Sequence, residues 1–128
     1  SILIEVKKIN DKYFCMKNHG RDNSGFELYE WIEILKKKKI GEIIIQSIDD
    51  DGMQHGFDKN LLDLIEKLEI NFPVVVGCGI GSNQHCVEIL RKKFISGITI
   101  SSSLYTSEIE ILDLKKRLRN ENIAINEL

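Results

Sequence analysis

The chain is 128 residues long, 42% hydrophobic and 30% charged, with nine glycines and one proline, a composition of roughly one globular domain that excludes disordered and collagen-like chains. Its longest apolar runs, IGEIIIQSI and FPVVV, fall short of the roughly 18 residues of a spanning helix, and no basic-then-apolar leader opens it, so a soluble, non-secreted domain without a membrane partner is expected. Eighteen basic against twenty acidic residues give a formal charge of -2, which argues against nucleic acid as a partner, since that footprint needs a positive excess on one face.

In chain order, SILIEV reads as a strand and KYFCMKN as a shorter one pairing with it locally across the turn Asn10-Asp11. FELYEWIEILKKK places Phe26, Leu28, Trp31, Ile32 and Leu35 near helical spacing, with Gly41 as a stop signal. The basic run Lys36 to Lys39 closes that helix, where the dipole favours cations. GEIIIQSID is a buried strand, NLLDLIEKLEI a helix capped near Asp58, PVVVG a strand, NQHCVEILRKKF a helix capped near Ser82, GITIS a strand and EILDLKKRLRNEN a closing helix.

Strand followed by helix, repeated along the chain, implies parallel strands joined by right-handed crossovers. Two architectures accept the pattern: an open doubly wound sheet with helices on both faces, and a (βα)4 half of a (β/α)8 barrel with helices on one face only. The strand faces choose. Ile43, Ile45 and Ser47 oppose Glu42, Ile44 and Gln46, and a Glu with a Gln do not suit a face buried under helices. Likewise Ile98 and Ile100 oppose Gly97, Thr99 and Ser101, so one face is apolar and the other small and polar, as in a barrel interior that lines a conduit. A complete barrel takes about 250 residues, so residues 1–128 amount to a single half-barrel. The opening Ser1-Ile2-Leu3-Ile4, with no initiator methionine before an apolar strand, reads as a piece of something longer. Such a half has two open edges and an open inner face, which must meet an N-terminal half-barrel or a second copy of the chain.

In βα barrels the reacting groups lie at the C-terminal ends of the strands, which here are Glu5, Asp49-Asp50-Asp51-Gly52, Gly77-Cys78-Gly79-Ile80-Gly81 and Ser101-Ser102-Ser103. Carboxylates on different strands can face each other as general acid and base, while glycines and serines ahead of helix N-termini present donors to a phosphate. The plain alternatives are a solvated, helix-capping acidic loop and a tight strand-to-helix turn. The run G-C-G-I-G is not a dinucleotide fingerprint, because the third glycine has the wrong spacing and no acidic residue ends the next strand.

Cys15, Cys78 and Cys86 are odd in number and lack C-x-x-C spacing, which suits free thiols in a reducing compartment, so a cytoplasmic location is expected. His19, His55 and His85 show no ligand spacing. No metal and no cofactor are expected.

The stretches GEIIIQSIDDDGMQHGFD, PVVVGCGIG and SSSLYTSEIEILDLKKRLRNENIAI closely resemble the C-terminal half of the cyclase subunit of imidazole glycerol phosphate synthase, strands five to eight of its barrel. LIEVKK resembles the family's strand with an acid followed by a basic residue, and NHGRDNSGFELYEW its Gly-rich loop leading to a helix with Trp. The related isomerase of histidine biosynthesis shares the D-x-D-G and Gly-rich segments but ends differently.

The resemblance implies an ammonia-dependent ring closure. A glutaminase partner releases ammonia, which passes through the barrel to a bis-phosphorylated nucleotide and yields imidazole glycerol phosphate with an aminoimidazole carboxamide nucleotide. Glu5 takes the place of a catalytic Asp on the family's fifth strand, and Asp51 supplies a further carboxylate in the substrate loop. Gly52, Gly79, Ser101 and Ser102 match the phosphate site, and Glu42 an acidic residue of the ring where ammonia enters. Three positions depart from the pattern: Glu5 adds a methylene, Met53 replaces a hydroxyl residue, and Cys78 replaces a glycine. Those departures admit two other readings, a paralogue that conducts ammonia to an amidotransferase in surface-sugar biosynthesis and a non-catalytic phosphate-binding half-barrel.

Overall fold

The computed structural model describes residues 1–106 and 108–125. Its strands are β1 (Ile2–Ile9), β2 (Lys12–Lys17), β3 (Asp22–Glu27), β4 (Ile43–Ser47), β5 (Val74–Gly77) and β6 (Gly97–Thr99), and its helices α1 (Leu28–Lys36), α2 (Lys59–Lys67), α3 (Asn83–Leu90), α4 (Ser102–Tyr105) and α5 (Ile111–Asn120). One sheet in the order β3-β2-β1-β4-β5-β6 holds all six strands. Strands β1, β4, β5 and β6 are mutually parallel, and β2 and β3 add to the edge of β1 as an antiparallel hairpin.

Register separates the two faces. Ile4, Ile45, Val76 and Ile98 lie side by side across the parallel strands, and the first three are buried. They share one core with Leu28, Ile32 and Leu35 of α1, Leu61 and Ile65 of α2, Val87 and Ile89 of α3, and Leu114 and Leu118 of α5. Each such aliphatic chain taken from water stabilises the fold by about 1.5–3 kcal/mol. On the opposite face run two other rows, Leu3, Ile44, Val75 and Gly97, then Glu5, Gln46, Gly77 and Thr99. Leu3 is 56% exposed, and Glu5, Ile44, Gln46, Val75 and Thr99 are partly so. With helices over one face and the other open, the chain is a half-barrel, and the doubly wound alternative is excluded.

The caps explain where the helices begin. Asp58 Oδ1 accepts from the Asn60 and Leu61 N–H groups at the start of α2, and Ser82 Oγ accepts from the His85 N–H at the start of α3. Before α1, Glu30 reaches back to the Glu27 N–H at 2.8 Å.

The sequence reading and the structure differ at the hairpin. Asn10 and Asp11 both have positive φ, 50° and 61°, the two-residue turn that matches strand twist. Strand β3 stands where the sequence suggests a loop, and Phe26, expected in the helix, instead lies in this strand, which ends at Glu27; the Phe26 ring is 44% exposed and tilts against Trp31 with ring centroids 5.9 Å apart. Helix α1 therefore starts at Leu28. Among the described residues no helix is long and apolar enough to cross a membrane.

Candidate functional site

The C-terminal ends of β4, β5 and β6 surround a cavity of about 250 Å³. Asp51, Gly79, Ser101 and Ser102 line it, together with Gln46 and Thr99 from the inner face and Cys78. Four of the residues singled out in the sequence thus meet in one space, although they come from three separate loops.

The acidic triplet divides its labour. Asp49 Oδ2 accepts from the Lys8 N–H at 2.9 Å, which fastens the loop to β1. Asp50 Oδ2 accepts from the Ser47 hydroxyl at 2.6 Å. Both lie in a 3-10 turn, and Asp51, which follows it, is the member that faces the cavity.

The loop after β5 is shaped by its glycines. Gly79 has φ +78°, and a side chain there would run into the Gly56 carbonyl and come within 3.0 Å of Asp50 Cβ. The Gly56 N–H donates to the Gly79 carbonyl at 2.7 Å, and Gly81 lies hard against the Gln54 carbonyl. Gln54 Nε2 in turn reaches Thr106 Oγ1 at 3.4 Å. The three loops form one bonded rim. After β6 comes the four-residue helix α4, with Ser101 at its N-cap and Ser102 at its first position. Loops after the last two strands with a short extra helix are the usual setting for a phosphate in βα barrels.

Cys78 also holds positive φ, 78°, in the same turn, and burial, followed by the neighbouring Asp51 carboxylate, pushes its thiol up to about 11. Glu5 contributes to that shift. It stands opposite Gln46 in register, one strand away from the cavity lining. Gly52, φ +74°, follows Asp51 on the exposed side of the loop, and Met53 is 54% exposed. Glu42 is at the other end of the sheet: its carbonyl accepts from the Ile2 N–H at 3.0 Å, and by alternation its side chain shares the face of Ile44 and Gln46.

Two supporting contacts were not read from the sequence. Tyr13 donates to Asp58 Oδ2 at 2.6 Å, and His85 Nδ1 accepts from the Gly81 N–H at 3.1 Å. The only local hint of the second is the pattern S-N-Q-H, which has a histidine where a capping box carries Glu or Gln.

Comparison with known proteins identifies the family. Residues 1–110 match the family model described as "Histidine biosynthesis protein". The chain is 30% identical over 125 residues to the imidazole glycerol phosphate synthase subunit HisF of Bacillus cereus strain AH187, covering 97% of this chain and 49% of that protein. It is 30% identical over 128 residues to the HisF subunit of Staphylococcus epidermidis strain RP62A, covering 97% and 50%, and 28% identical over 124 residues to that of Natranaerobius thermophilus, covering 97% and 49%. The chain spans about half the length of the curated relatives it matches. A half-barrel with a cavity at the C-terminal ends of its strands, matched over residues 1–110, belongs to the histidine biosynthesis protein family.

Proposed function

We propose that the chain is the C-terminal half-barrel of an ammonia-dependent cyclase, with β1, β4, β5 and β6 as strands five to eight. The observation that carries this reading is the cavity where Asp51 meets Gly79, Ser101 and Ser102. A single phosphate held by the Gly79 turn and the Ser101-Ser102 hydroxyls and N–H groups would leave its sugar running toward Gln46 and, beyond it, Glu5. Gly52 gives the substrate loop the left-handed turn that follows Asp51.

In this reading Glu5 and Asp51 make the proton transfers as ammonia enters the phosphoribulosyl-formimino carboxamide nucleotide, the ring closes and the aminoimidazole carboxamide nucleotide leaves. Placed on different elements around one open face, they can serve as acid and base. Glu42, on the same face at the far end, guards the point where ammonia arrives from a glutaminase. No metal or cofactor takes part, and the setting is the cytoplasm. The open face is covered by an N-terminal half-barrel or a second copy, without which the carboxylates face water.

Cys78 favours a second reading. Its side chain occupies the turn beside Asp51, which suits a paralogue that has kept the conduit for an amidotransferase and given up ring closure. Ammonium-dependent loss of the bis-phosphorylated nucleotide by the half-barrel reunited with an N-terminal half separates the two: turnover supports the cyclase, and binding without turnover supports the paralogue.

A further inference from the structure

His85 is the third residue of α3, and two bonds place it. Its N–H donates to Ser82 Oγ at 3.2 Å, and its Nδ1 accepts from the Gly81 N–H at 3.1 Å. That is the reciprocal pattern of a capping box, shifted by one residue and with imidazole in place of the usual Glu or Gln. Because Nδ1 accepts, the neutral ring carries its proton on Nε2.

The other edge of the ring faces Gly56, where an added methyl would lie 3.5 Å from Nε2 and 3.6 Å from Cδ2. Gly56 donates to the Gly79 carbonyl, and Gly79 lines the cavity. The imidazole is therefore wedged between the two glycine turns of the rim, bonded to one and packed against the other. A side chain at Gly81 would run into the Gln54 carbonyl, so the turn that His85 holds has no room to take one.

We propose that His85 is a positioning residue of the phosphate cradle, holding the Gly79 to Gly81 turn in its anion-accepting shape through a neutral acceptor. The proposal rests on the cavity being a phosphate site. Its chemical content is the absence of charge. A glutamate at the same position would supply the same hydrogen bond and a better start to the helix. It would also set a negative charge on the turn that must receive a dianion, and that repulsion acts at short range in a partly dried rim. Imidazole gives the acceptor without the repulsion.

Titration of the chain with inorganic phosphate, followed through the amide signals of Gly79 and Gly81, tests this on the unsubstituted protein and on His85→Asn, His85→Ala and His85→Glu. Asn sets an amide oxygen where Nδ1 stands, so its affinity is expected to stay within about twofold of the parent. Ala strands the Gly81 N–H, and binding is expected to weaken about tenfold. Glu is expected to unfold at or above the parent's temperature and still bind phosphate about tenfold more weakly, a split that a merely structural role does not produce. If Ala fails to fold, the Asn and Glu variants decide. Affinity within about twofold of the parent in every folded variant overturns the proposal and leaves the phosphate site standing. No binding by the unsubstituted chain overturns both.

Discussion

The Tyr13 hydroxyl donates to Asp58 Oδ2 at 2.6 Å while Asp58 Oδ1 caps α2, so a single carboxylate joins the edge hairpin to the helix that follows the acidic loop. The bond spans 45 residues of sequence.

Tyr13→Phe keeps the ring and the cap and removes this link. The loss is expected to be about 1.5–3 kcal/mol in urea denaturation near neutral pH, as for a hydrogen bond to a charged partner. Burial, then the bond to Asp58 and its charge, raise the tyrosine above its ordinary value of 10.0. The unfolded chain therefore ionises at about pH 10 while the folded one keeps its proton, so this part of the stability is complete below pH 10 and drains away above it. The gap between parent and variant is expected to narrow above pH 10; a constant or widening gap contradicts the assignment.

The two faces of β4 give a second prediction. Ile45 is fully buried under the helices, and Ile45→Ala is expected to cost about 2–5 kcal/mol. Ile44, its neighbour on the open face, is expected to cost about 1 kcal/mol or less in dilute solution. That smaller cost is expected to grow once an N-terminal half or a second copy covers the face. Denaturation curves at low and high protein concentration check both statements, and equal costs at low concentration contradict an open inner face.

Thiol chemistry provides a third. Cys15 and Cys86 are buried, and Cys78 is partly exposed in the cavity wall. Burial and the Asp51 carboxylate raise Cys78 to about 11, so little thiolate exists at pH 8 and alkylation by iodoacetamide is expected to accelerate about tenfold per pH unit between pH 8 and 10. Phosphate is expected to slow the reaction by filling the cavity. A rate that phosphate leaves unchanged, with modification mapped to Cys78 by mass spectrometry, contradicts the placement of the anion.

Much of the fold could be read from the residues because the signals are local. Alternation in EIIIQS and GITIS marked the covered and open faces, and Asp58 and Ser82 announced their helices by side-chain caps that act within three residues. Strand β3 could not be read, since DNSGFE has no apolar alternation and Asn23 and Ser24 bond to backbone two residues on, as turn residues do. The site divides in the same way. The segments that hold Asp51, Gly79, Ser101 and Ser102 follow from position at strand ends, and the resemblance singles out those four within them, whereas spacing gave no means of knowing that Lys8 and Ser47 would engage Asp49 and Asp50. Glu5 was legible as a carboxylate at a strand end, and only its register with Gln46 sets it on the open face, one strand from the cavity.

The most direct measurement is ammonium-dependent turnover of the bis-phosphorylated nucleotide by the assembled barrel, carried out in parallel with Glu5→Gln. The unsubstituted barrel is expected to form imidazole glycerol phosphate, and Glu5→Gln to bind the nucleotide as well while losing about a hundredfold or more in rate, the scale of removing a positioned general acid or base. An assembled barrel that binds the nucleotide without converting it would contradict the cyclase reading, and an unchanged rate in Glu5→Gln would contradict the role of Glu5.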